Sequence, residues 1–135
     1  MSSPPHTYSL TVLAGRYAIC LLPPAAPIPA WANGADFCSL TRTGDELSII
    51  CPQDALPRDL PEHVAVQRDW CALRVEGPLS FDMPGVLAAL TAPLAQAGVA
   101  LLAVATYQTD YLLVKAEALE RAISALRGAG HRVCN

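Results

Sequence analysis

Residues 99–115 read VALLAVATYQTDYLLVK, and the fold turns on how this stretch is read. Two apolar runs, 99–105 and 111–115, flank the polar segment Thr106-Tyr107-Gln108-Thr109-Asp110. Each run is too short for an ordinary helix and rich in valine and leucine, so each reads as a strand. The first is apolar throughout, as expected of a strand covered on both faces. A tight hairpin needs two turn residues, usually with a glycine. This connection has five polar or amphipathic residues and no glycine. The stretch therefore predicts two neighbouring strands joined by a wide polar turn.

Working outward, WCALRV at 70–75 is short and apolar, which suits another strand. The loop EGPLSFDMPG follows and ends in a helix-start signal. Asp82 can cap, and Pro84 fits a first helical turn, where its missing N–H costs nothing. Val86, Leu87, Leu90, Leu94 and Ala97 then recur at helical spacing, with Pro93 set to kink or loosen the last turn and Gly98 to stop it. Beyond the strand pair, EALERAISALRGAG places Leu119, Ala122, Ile123 and Leu126 on one helical face, and HRVC makes a last short strand. The order strand, helix, strand, strand, helix, strand is the split-βαβ, ferredoxin-like arrangement. The expected class is α+β, with an antiparallel sheet and both helices on one face.

The first half is less regular. YSLTVLAGRYAICLL reads as strand, glycine turn, strand, and DFCSLTRTGDELSIIC as a hairpin turning at Gly44-Asp45. The Pro- and Ala-rich PPAAPIPAWANGA between them allows at most one helical turn near 30–33. PQDALPRDLPEH has too many prolines for a long helix, and VAVQRD suits a further strand. This looks like a shortened βαββ unit, with the Pro-rich stretch 52–61 as the module boundary. The expected division is 1–61 and 62–135.

Apolar residues make up 53 % of the 135 and charged ones 16 %, enough to bury a core and too apolar for disorder. The net charge is −3 and no basic cluster exists, which argues against nucleic acid. No apolar run reaches the roughly 18 residues of a membrane span, and MSSPPHTYS lacks the basic start and apolar core of a secretory signal. A cytoplasmic protein is expected. The cysteines, Cys20, Cys38, Cys51, Cys71 and Cys134, are odd in number and show no C-x-x-C spacing. They read as small buried hydrophobes in a reducing compartment. His6, His63 and His131 share no ligand spacing with them and read as surface or loop residues; no metal or other cofactor is expected.

Several segments resemble a known family. FDMPGVLAAL is similar to the Asp-x-Pro-Gly-Val-Leu opening of ACT domains, small regulatory modules that bind amino acids. SLTRTGDELSIICP, WCALRVEG and LTAPLAQAGVALLAVATYQTDYLLVKAEAL resemble the tandem-ACT branch, which includes the ACT modules of CASTOR-type cytosolic arginine sensors and bacterial proteins of unassigned role. The likeness runs over residues 7–135 and is most specific at Thr-Tyr-x-Thr-Asp-Tyr. It implies a truncated ACT-like module, 1–61, followed by a complete ACT domain, 62–135. It also implies an amino-acid site between ACT modules. Carried over residue by residue, that site comprises Asp82, Met83, Pro84, Gly85 and Val86 at the helix start, then Thr106, Tyr107 and Asp110, with an edge-strand contact at Ala100 and Leu101. This chain has one tandem pair where the arginine sensor has two, so half of such an interface would come from a second chain or be absent.

The chemistry of these positions stands beside the resemblance. A free amino acid presents a carboxylate and an ammonium. A helix N-terminus offers unpaired N–H groups to the first, and Gly85 permits close backbone approach. Asp110 can hold the second, and Tyr107 can add an apolar wall with a polar tip. Plainer roles compete: Asp82 as a simple cap, Thr106 and Thr109 as turn formers, Tyr107 as core, Asp110 bonded to nearby backbone. An enzyme would use Asp82 and Asp110 as an acid–base pair, but the motifs G-x-S-x-G, H-E-x-x-H, the Walker-type loop and G-x-G-x-x-G are all missing. The expectation is a non-catalytic, homodimeric regulatory module that binds a free amino acid and acts on a partner enzyme or transporter. A structural or protein-interaction module without a ligand is the alternative.

Overall fold

The computed structural model describes residues 7–77, 79 and 84–135. The chain packs as two units that do not follow chain order. One holds residues 7–13 with the described part of 71–135, the other 14–70. The expected division at 61/62 follows the order of the sequence, whereas these units are set by packing.

The unit of residues 14–70 is an antiparallel sheet. Its strands are β2 (Tyr17–Leu22), β3 (Ser39–Arg42), β4 (Leu47–Pro52) and the first half of β5 (Ala65–Val75), in the order β3–β4–β2–β5. The expected hairpin joins β3 and β4, with Arg42 opposite Leu47. VAVQRD and WCALRV, read separately from sequence, run together as the eleven residues of β5. Ala18, Cys20 and Leu22 face Leu47, Ile49 and Cys51 in a buried cluster, as the two-residue period of a strand requires.

The other unit carries the expected α+β arrangement. Its sheet runs β6 (Leu101–Ala105), β7 (Asp110–Lys115), the second half of β5, β1 (Ser9–Val12) and β8 (Arg132–Cys134). Helices α1 (Val86–Gln96) and α2 (Leu119–Gly128) share one face. Val86, Leu90 and Leu94 form the buried stripe of α1, and Ala122, Ile123 and Leu126 that of α2. They pack on alternate strand residues: Leu10, Leu73, Val75, Leu112, Val114 and Val133.

Three sequence expectations are corrected here. First, the sheet is not wholly antiparallel. β1 inserts between β5 and β8, antiparallel to the first and parallel to the second. Second, the 99–105 run is not covered on both faces. β6 pairs with β7 alone, and Leu102, Ala103 and Ala105 are exposed. Third, His131 is no surface residue but is buried. Its Nδ1 accepts the Tyr8 N–H at 3.1 Å, and its Nε2 lies 3.0 Å from the carbonyl of Ala89. Pro93 explains the second contact. Four residues after Ala89, it has no N–H to give, so the helix leaves that carbonyl unpaired and the histidine satisfies it. The helix continues through Pro93 to Gln96 for the same reason.

Candidate functional site

The polar turn is built from threonines. Ala105 pairs with Asp110, which leaves 106–109 as a four-residue loop. The Thr106 N–H donates to the Thr109 carbonyl at 2.8 Å. The Thr106 hydroxyl donates to the same carbonyl at 2.9 Å and accepts the Thr109 N–H at 3.2 Å. Asp69 is the only non-glycine residue with positive φ among the described residues, so this loop needs no left-handed position. That is why it does without glycine.

Two further bonds fix the turn to the segment after β5. Thr109 is buried, and its hydroxyl donates to the Val75 carbonyl at 2.6 Å. The Gln108 carbonyl accepts the Leu79 N–H at 2.7 Å. Gly77 lies against this contact: a Cβ there would meet the Gln108 oxygen at 3.1 Å. The turn is thus pinned beside the loop that leads into α1.

A cavity of about 270 Å³ opens where the two meet. One wall is Leu79, Gly85, Val86 and Leu87, the other residues 105–110. Gly85 is the N-cap of α1, with φ at 79° in the left-handed region. It has no side chain to cap the first-turn N–H groups, and among the described residues no side chain caps them. This corrects the sequence reading of the helix start: the cap is Gly85, and Pro84 precedes it. Asp110 is half-buried on the opposite wall. Among the described residues its carboxylate has no hydrogen-bond or ion-pair partner, and burial pushes its carboxyl up from the ordinary carboxylate value.

The structure brings together five of the ten residues singled out from sequence: Gly85, Val86, Thr106, Tyr107 and Asp110. Asp82 and Met83 lie outside the described residues. Pro84 is exposed beside the cavity without lining it. Ala100 and Leu101 do not line it either, because they sit at the far end of β6 from Ala105. Tyr107 is 83 % exposed, which rules out a place in the core. Leu79, Leu87, Ala105, Gln108 and Thr109 also line the cavity and were not among the ten. Thr109 could have been found from its place next to a buried strand, where a hydroxyl must find a partner.

A second cleft on the far side of the turn is lined by Arg74, Glu76 and Tyr111 among others. Its charges answer one another. Arg74 Nη2 lies 3.1 Å from Glu76 Oε1, and the Thr11 hydroxyl donates to the same oxygen at 2.5 Å. These bonds, the Thr11 one first, hold the Glu76 carboxyl below its ordinary range. Elsewhere, Cys20 and Cys51 share a thiol hydrogen bond, which lowers Cys20 and, with burial, raises Cys51. All five cysteines are free; Cys20, Cys51 and Cys71 are buried, while Cys134 is exposed. Among the described residues, no group of three His, Cys, Asp or Glu is placed to hold a metal, and no helix is long and apolar enough to cross a membrane.

Comparison with known proteins places this geometry in a family. Residues 65–128 match the ACT domain model, and a separate N-terminal-domain model matches residues 15–59. No curated protein matches the chain. A crystal structure of an Agobacterium tumefaciens protein is 38 % identical, with a TM-score of 0.86 over 95 % of this chain and 92 % of that one. A Vibrio cholerae protein of unknown function, described as a possible transport protein, is 17 % identical with a TM-score of 0.71, over 91 % of this chain and 90 % of that one. The ligand-free regulatory subunit of aspartate kinase from Thermus thermophilus is 17 % identical with a TM-score of 0.63, over 90 % of this chain and 97 % of that one. These last two share the fold. The chain belongs to the family of the Agobacterium protein and carries an ACT domain, a regulatory class of module that often binds amino acids.

Proposed function

We propose that this chain is a non-catalytic sensor that binds a free amino acid in the cavity between the α1 start and the 106–109 turn. The observation that carries the reading is Asp110, a half-buried carboxylate without a partner among the described residues, across one cavity from an uncapped helix start. Leaving a carboxylate so placed is unfavourable unless something else brings the counter-charge. A ligand ammonium does so, and the backbone N–H groups at Gly85 and Val86 take its carboxylate.

We read the sensor as a tandem-ACT homodimer, with 1–61 as the shortened module and 62–135 as the complete one. The exposed, apolar and unguarded β6 supports dimerisation, since open sheet edges tend to pair. In an antiparallel pair of β6 strands centred on Ala103, Leu101 of a second copy faces Ala105, at the cavity rim. Ala100 and Leu101 would then reach the site from the other subunit. The buried free thiols suit a reducing cytoplasm. The effect passes to a partner enzyme or transporter.

Calorimetry of the full chain against the twenty amino acids tests the reading. At least one should bind, with the ligand-bound protein a dimer in light scattering. Binding to none would leave the alternative, a structural or protein-interaction module. A monomer mass at micromolar concentration would remove the dimer.

A further inference from the structure

Building on that amino-acid reading, we propose that the cavity takes an amino acid with an uncharged side chain and rejects acidic ones. From residue 75 to residue 114 the chain has no lysine, arginine or histidine across forty consecutive positions. Every described residue that lines the cavity comes from this stretch. The side-chain charge of the described lining is one carboxylate, Asp110. An ammonium neutralises it, and the α-carboxylate of the ligand meets the helix start.

A second ligand carboxylate has nowhere to go. No cationic side chain is within the lining, and the carboxylate would stand in the same small space as Asp110, where like charges repel. A basic side chain fares poorly for the opposite reason. Asp110 can answer one ammonium, and a second cation would face Leu79, Val86 and Leu87 with no further carboxylate in the described lining. An uncharged side chain loses nothing against these three residues and removes apolar surface from water. The volume of about 270 Å³ lies at the low end of small-molecule pockets, which suits one free amino acid rather than a nucleotide-sized ligand.

Competition calorimetry on the full chain tests this, with leucine, methionine and glutamine against aspartate, glutamate, lysine and arginine. An uncharged amino acid should bind at least ~10-fold more tightly than any charged one, in line with a single unmatched charge. Leu87 is 39 % exposed, so Leu87→Arg adds a cation to the lining without a large core cost. In that variant, glutamate should gain on leucine by ~10-fold or more. A charged amino acid as the tightest ligand of the wild type, weakened by Asp110→Asn, would overturn the side-chain inference and leave the site standing. Binding of no amino acid would overturn the site and this inference together.

Discussion

The chain has two hairpin turns of the same length built on the same side-chain device. In the turn 43–46, the Thr43 N–H donates to the Glu46 carbonyl at 2.9 Å, and the Thr43 hydroxyl accepts the N–H groups of Asp45 and Glu46 at 3.1 and 3.2 Å. In the turn 106–109, Thr106 takes the same place. The difference lies in what surrounds them. Thr43, Gly44 and Asp45 stand exposed in water. The second turn is tied to a distant segment through Thr109 and Gln108 and borders a cavity with an unanswered carboxylate. A threonine-capped turn closes a hairpin wherever it occurs. It comes to line a cavity when long-range bonds hold it against another element.

The sharpest way to break this comparison is to exchange one oxygen for nitrogen. Asp110→Asn keeps shape and removes charge. It should weaken amino-acid binding by about 1.5–3 kcal/mol, or ~10- to 150-fold in calorimetry, without lowering the melting temperature. Asp45→Asn in the other turn should leave affinity alone. Unchanged affinity in the Asp110 variant would take that residue out of the site.

The next effect concerns stability. Thr109→Val removes a buried hydroxyl and its bond to the Val75 carbonyl, which should cost about 1–3 kcal/mol in urea denaturation. Thr43→Val deletes bonds that water can replace and should cost about 0.5–1 kcal/mol. Equal costs would show that the long-range bond contributes nothing beyond the local turn.

The smallest effect is in pH. Burial raises the folded-state value of the Asp110 carboxyl above 3.8. Its neutral form is therefore the one folding favours. That contribution is fully present below 3.8 and is lost as pH rises through the raised folded value. The stability gain of Asp110→Asn over wild type should be larger at pH 7 than at pH 3.5, read by parallel thermal melts. A gain that is constant with pH would mean the carboxylate is as well solvated as Asp45.

Periodicity made the α+β order of 70–134 legible, since buried stripes such as Val86-Leu90-Leu94 leave a direct trace in sequence. The hairpin at 39–52 was equally plain. What sequence concealed was long-range. Nothing local in SLTV says that it sits between β5 and β8. The apolar composition of β6 also hid its exposure, because an exposed edge strand and a buried central strand can be written in the same residues. His131 was misread because its partner is a carbonyl freed by a proline 38 positions earlier. Of the site, the charged and glycine positions were visible as chemistry. The apolar lining at Leu79 and Leu87 looked like ordinary loop and helix residues until the turn was pinned beside them.

The place of β1 has a consequence for how the protein is made. The Tyr8 N–H meets His131 across 123 positions, and β1 pairs with β8 in the last residues of the chain. During synthesis this strand emerges before the other strands of its sheet. The segment 14–70 emerges next and holds strand pairings of its own. It can settle while translation continues, whereas the side of β1 that pairs with β8 must stay unengaged until residues 132–134 have been made. Closing so long a loop is slow as well as late. During biosynthesis a strand made early, β1, is thus among the last of its sheet to be locked in.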